Sequence, residues 1–124
     1  MADDALAAIT QAADGLLYPS ESDAPFTPFK WEGDGEPTPE KLAALEKGRK
    51  RKAPPAEAKD VGEFFAELAD ADDAARFKRL EQALRKNLAD LRVVRVGEVK
   101  VSIYVVGRDS SGAWVGLHTN SVET

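Results

Sequence analysis

Apolar positions along the chain recur at two spacings, near 3.6 residues through most of its length and near 2 in its last third. Leu6, Ile9, Ala13 and Leu16 form a helical stripe behind Asp3 or Asp4 as cap. Asp14-Gly15 stops that helix, because glycine enters the left-handed conformation without steric cost. Thr38-Pro39-Glu40 predicts a second start, with a hydroxyl cap, proline at the first helical position and an acid in the first turn. Leu42 and Leu45 supply its apolar stripe and Gly48 ends it. Asp60-Val61-Gly62-Glu63 is an acidic form of the capping box, opening a short helix with Phe64, Phe65 and Leu68 that Asp70 to Asp73 breaks. Phe77, Leu80, Leu84, Leu88 and Leu91 mark the strongest helix, one apolar face opposite Lys78, Arg79, Glu81, Arg85 and Lys86.

Strand signals follow. Arg92 to Val96 and Val99 to Val106 flank Gly97-Glu98, which suits a tight hairpin turn. Gly107 to Gly112 reads as a longer turn before a third strand, Ala113 to Thr119. Upstream, Pro25 to Trp31 alternates, but its prolines confine it to a sheet edge, and Gly33 to Pro37 is a turn. Val101, Ile103 and Val105 line one face of the central strand, while Tyr104 and Val106 keep the other apolar too. A sheet apolar on both sides needs helices on both sides. The expected fold is α+β: a single-domain α/β/α sandwich over residues 1–124 with an antiparallel sheet. Arg49 to Pro55, basic and then proline-rich, reads as a surface loop within that domain.

Composition narrows the function classes. With no cysteine, the chain has no disulfide framework, thiolate metal site or thiol nucleophile. Its N-terminus, Met1-Ala2-Asp3-Asp4, is acidic where a secretion signal starts basic, and no apolar run is long enough for a membrane span. A cytoplasmic protein away from membranes is expected. The net charge of −5 is unevenly spread: residues 1–46 hold ten acids and two bases, and Lys47 to Lys52 then adds five bases. An acidic front third repels phosphate backbones and attracts basic surfaces, so the expected partner is a protein rather than nucleic acid.

Candidate chemistry is sparse. One histidine, His118, without a cysteine or a nucleophile elbow leaves no catalytic triad, and it reads as a packed or exposed strand residue. Asp70, Asp72 and Asp73 lack the spacing and glycine of a calcium loop and read as solvated caps. The basic run from Lys47 to Lys52 lacks interleaved aromatics and reads as a solvated loop. Two features are harder to assign to packing. Ser20-Glu21-Ser22-Asp23 sets a carboxylate between two hydroxyls directly after the apolar Leu16-Leu17-Tyr18. Ser121-Val122-Glu123-Thr124 ends within a few residues of a core strand, which would hold its terminal carboxylate near the sheet. Read as chemistry, both offer an oriented negative oxygen; read as structure, both are ordinary surface.

Asp14-Gly15-Leu16-Leu17-Tyr18 with Ser20-Glu21-Ser22-Asp23, then Pro25-Phe26, Phe29 and Trp31-Glu32-Gly33, resembles the nuclease A inhibitor family. The similarity resumes at Gly62 to Phe65 and Phe77 to Asn87. It is strongest in Arg95-Val96-Gly97-Glu98-Val99, Tyr104-Val105-Val106-Gly107 and the closing Ser121-Val122-Glu123-Thr124. The resemblance implies an α/β/α sandwich, not an enzyme, that plugs the active site of a sugar-nonspecific, magnesium-dependent nuclease. It also implies that Glu21, flanked by Ser20, Ser22 and Asp23, enters the nuclease site near its metal, and that the Thr124 carboxylate, beside Glu123, reaches the same region. The inhibitor would carry no cofactor or metal of its own. The sequence departs from the family pattern at Ala69 to Asp73, a short connection without the aromatic that the family places in a longer loop, and it matches poorly from Gly33 to Ala58. The alternative reading is an interaction module of the same fold whose partner is not a nuclease.

Overall fold

Alanine-rich helix α1 (Ala2–Ala13) opens the computed structural model, which describes residues 2–18, 24–33, 35–47, 54–68 and 74–122, with side chains from Ala5 onward. The helix begins at Ala2, so Asp3 and Asp4 lie in its first turn rather than before it. It stops where expected: Gly15 takes φ +79°, Leu16 N–H donates to the Ala13 carbonyl at 3.0 Å, and the Arg76 guanidinium donates to the Asp14 carbonyl. Ile9, Ala13 and Leu16 are buried as the stripe required.

Two very short strands follow, β1 (Leu17–Tyr18) and β2 (Ala24–Pro25), paired antiparallel as Leu17 with Pro25 and Tyr18 with Ala24. This ladder was not anticipated. Strand β3 (Thr27–Lys30) is a sheet edge, as its proline demands. Helix α2 (Pro39–Lys47) starts as predicted, with Thr38 Oγ1 accepting from Lys41 N–H at 3.1 Å. Its buried pair is Leu42 and Ala43. Leu45 is 56% exposed and does not belong to the stripe. Gly48, the expected stop, lies outside the described residues, as do most of the basic run and Asp70 to Asp73.

Strand β4 (Ala56–Lys59) has no local signal, since nothing in Ala-Glu-Ala-Lys favours a strand. It forms because β5 (Ala89–Val96) offers partners, Ala56 facing Val96 and Ala58 facing Val94. Helix α3 (Val61–Ala66) carries the expected cap, Asp60 Oδ2 accepting from Glu63 N–H at 3.1 Å. Helix α4 (Ala74–Asn87) is shorter than its leucine spacing suggested. The chain leaves the helix at Leu88 and enters β5, where Asp90 takes φ +52° and the register shifts between Ala89 and Arg92. Leu91 still packs against the same core, from a strand instead of a helix.

Strands β6 (Lys100–Arg108) and β7 (Trp114–Val122) complete an antiparallel five-stranded sheet in the order β3-β7-β6-β5-β4. The β5–β6 turn is wider than a two-residue hairpin, because Val96 pairs with Ser102, and β7 runs three residues past its expected end. Helices α1, α3 and α4 cover the face bearing Val93, Val101, Ile103, Val105, Val115 and Leu117. Helix α2 covers Val94, Val96, Tyr104 and Val106, with Phe29 and Trp31 closing beside them. The architecture is α+β with helices on both faces, three against one among the described residues. At Gly116 the backbones of β6 and β7 approach so closely that a Cβ would lie 1.8 Å from the Val105 carbonyl oxygen.

The α2 assignment can be checked by chemical denaturation. Leu42→Ala should cost about 2–5 kcal/mol, the usual range for a buried leucine, and Leu45→Ala less than about 0.5 kcal/mol.

Candidate functional site

The two segments singled out in the sequence are carried on neighbouring stems. Tyr18 and Ala24 are the last pair of the β1–β2 ladder, and residues 19–23 connect them. Ser20, Glu21, Ser22 and Asp23 lie outside the described residues, as do Glu123 and Thr124. Strand β7 continues to Val122, which pairs with Lys100, and Ser121 beside it is buried. Thr119, three residues before Val122, donates through Oγ1 to the Ala24 carbonyl at 3.3 Å. One strand turn on, Thr27 pairs with His118 and donates to its carbonyl at 3.2 Å. The stem of the Ser20–Asp23 segment and the last residues of β7 thus share an edge of the molecule.

Aromatic packing fixes the ladder to the core. The Tyr18 ring stacks on Phe64 with centroids 5.7 Å apart and planes within 6° of parallel. Phe26, just after the ladder, meets Tyr18 edge-on at 6.4 Å and Phe77 at 6.1 Å. Such contacts add to burial and hold ring orientation. Helix α3, with its aspartate cap, and helix α4 therefore position the foot of a segment more than forty residues upstream of them in sequence.

On the sheet face under α2 lies a second polar group that no local motif announces. Glu46, near the end of α2, accepts from Tyr104 OH at 2.6 Å and from Ser102 Oγ at 2.9 Å. The His118 ring sits 4.8 Å from the Tyr104 ring, and the Phe29 ring meets Tyr104 at 4.9 Å. Burial, then the hydrogen bond to Glu46 and its charge, push the Tyr104 hydroxyl pKa well above that of an ordinary phenol. Tyr104 therefore acts as a fixed donor. Burial lowers the His118 pKa, and the Glu46 carboxylate opposes that shift only in part. His118 is thus a packed strand residue. Among the described residues, no three acidic or histidine side chains are arranged to hold a metal, and no helix is long and apolar enough to cross a membrane.

The sign of the His118 effect on stability follows from linkage. A folded-state pKa below the ordinary 6.5 means that the fold prefers neutral imidazole. Its contribution is complete above that value and is lost as pH falls from there through the lowered one. Urea unfolding at about pH 7.5 and about pH 5 should show wild type losing more stability on acidification than His118→Gln, which cannot titrate.

No curated protein sequence matches the chain. Over residues 3–124, however, it matches the family described as nuclease A inhibitor-like protein (NuiA). The match spans both stems, the central sheet and all four described helices, so the chain belongs to the nuclease A inhibitor-like protein family.

Proposed function

We propose that this protein inhibits a magnesium-dependent, sugar-nonspecific nuclease by presenting Glu21 and the Thr124 carboxylate together to the enzyme's active site. Ser20, Ser22, Asp23 and Glu123 flank these two groups and make the surrounding polar contacts. The observation that supports this reading best is the hydrogen bond from Thr119 to the Ala24 carbonyl. It ties the foot of the Glu21 segment to β7 only five residues before Thr124, although 95 residues separate Thr119 from Ala24 in the chain.

The chemistry suits the target. A nuclease site holds a phosphate against a divalent cation and basic side chains, and magnesium takes oxygen ligands while keeping several waters. A carboxylate offered at the right place takes the position of a phosphate oxygen, directly or through one water. The acidic front third steers approach toward a basic enzyme face. Charge alone does not secure affinity, because a buried ion pair must first offset the loss of hydration. Preorganisation of the stem contributes too: stacked rings and β7 hold the ladder residues Tyr18 and Ala24 in place before any partner binds. Inhibition by occupancy needs no catalytic group in the inhibitor itself.

Titrating the purified protein into a plasmid digestion by a magnesium-dependent nonspecific nuclease tests the reading. Loss of a buried charged contact costs about 2–5 kcal/mol, so Glu21→Ala should raise the inhibition constant from roughly thirtyfold to several thousandfold. Equal potency of mutant and wild type would remove Glu21 from the mechanism. Residues appended after Thr124 should also weaken inhibition, since they displace the terminal charge. A C-terminally extended protein with undiminished potency would remove the chain end from the site.

A further inference from the structure

Three large apolar side chains stand exposed among the described residues: Leu17 at 46%, Leu45 at 56% and Val99 at 55%. Leu45 is on the outward side of α2, away from both stems, and Val99 is in the β5–β6 turn next to Lys100, which pairs with Val122 near the chain end. Leu17 is different. It is the first residue of the ladder that carries residues 19–23, and its partner across the ladder, Pro25, is also exposed. Directly opposed residues in an antiparallel pair project to the same side, and successive residues alternate. Tyr18 and Ala24 accordingly turn toward the protein, Tyr18 onto Phe64, while Leu17 and Pro25 turn together to solvent. Leu16, the adjacent leucine, is buried, so Leu16-Leu17 places one side chain in and one out.

We propose that Leu17 and Pro25 form an apolar collar that seats on the rim of the nuclease active site around the Glu21 contact. The proposal rests on the inhibitor reading above and adds a contact which that reading does not contain. Leu17 precedes Glu21 by four residues and Pro25 follows it by four, so the pair brackets the carboxylate symmetrically in the chain. None of the ladder residues Leu17, Tyr18, Ala24 and Pro25 is charged, whereas the segment they carry holds Glu21 and Asp23. An acidic tip on an uncharged foot fits a basic, metal-containing pocket with an apolar rim. The electrostatics reward that arrangement, because attraction between a carboxylate and a cation grows as the local dielectric falls. Apolar contacts ringing such a centre exclude water from it and thereby raise its contribution to binding. The collar also needs no reorganisation, since the opposite side of the same ladder is held by the Tyr18–Phe64 stack and the Thr119 hydrogen bond.

The experiment compares Leu17→Ser, Leu17→Met, Pro25→Ser, Glu21→Ala and Leu45→Ser with wild type in the plasmid-digestion titration, alongside thermal unfolding of each. Leu17→Ser should raise the inhibition constant about tenfold, the scale for a half-exposed leucine newly covered in a complex. Leu17→Met should stay within about twofold, and Leu45→Ser should match wild type. Should Leu17→Ser unfold near the assay temperature, Pro25→Ser carries the same expectation. If Glu21→Ala is weakened while a folded Leu17→Ser or Pro25→Ser inhibits like wild type, the collar is overturned and the inhibitor reading stands. If Leu45→Ser weakens inhibition as much as Leu17→Ser does, the collar is likewise overturned. If Leu17→Ser is weakened and Glu21→Ala is not, the glutamate assignment fails while the apolar contact survives. A wild type that leaves the nuclease untouched overturns both.

Discussion

The pairing of β7 with β6 over nine successive residues, from Lys100 with Val122 to Arg108 with Trp114, is the constraint on which the rest of the molecule depends. On its other side β7 takes β3, and through Thr119 it takes the end of the β1–β2 ladder. Slipping the β6–β7 register by one residue would send Val101, Ile103 and Val105 to the α2 face and expose the other layer to mismatched helices. The close approach at Gly116 allows no such slip, because the Val105 carbonyl sits where any side chain would begin. Register in this one hairpin therefore fixes both hydrophobic layers and the position of both stems.

Where local chemistry determines structure, the sequence is informative. The aspartate cap of α3, the Thr38-Pro39 start of α2 and the glycine stop of α1 are each decided within a few residues. Reading fails where partners lie far away. Ala56 to Lys59 becomes a strand only because Val94 and Val96 present a free edge. Leu91 continues a helical spacing by coincidence, after the backbone has already turned at Asp90. Leu45 matches a stripe that a nine-residue helix lying on one sheet face cannot bury along its whole length. The candidate site divides in the same way. The proposed contact residues Glu21 and Thr124 come from resemblance to a family and lie outside the described residues, whereas the hydrogen bond that joins their stems has no local signal in the sequence. It links groups 95 residues apart.

Glu46 illustrates how the thinner layer is secured. Among the described residues, three helices pack on one face of the sheet and one short helix on the other. With only Leu42 and Ala43 buried from α2, apolar area alone is a modest attachment. The carboxylate of Glu46, held by two hydroxyl donors from β6, fastens the far end of that helix to the sheet. Hydrogen bonds to a charged acceptor are stronger than neutral ones, and a buried tyrosine hydroxyl without a partner would be costly.

Both outer strands of the sheet are short, four residues each in β3 and β4. One contains Pro28, which has no N–H to offer, and the other carries Glu57 and Lys59. Long, flat apolar edges recruit further strands, whereas short edges bearing proline or charge discourage them. Under the proposed function, inhibition by one-to-one occupancy, such a protein would have to accumulate in step with its target instead of turning over. Blunt borders let such a stock build up without copies of the sheet growing onto one another.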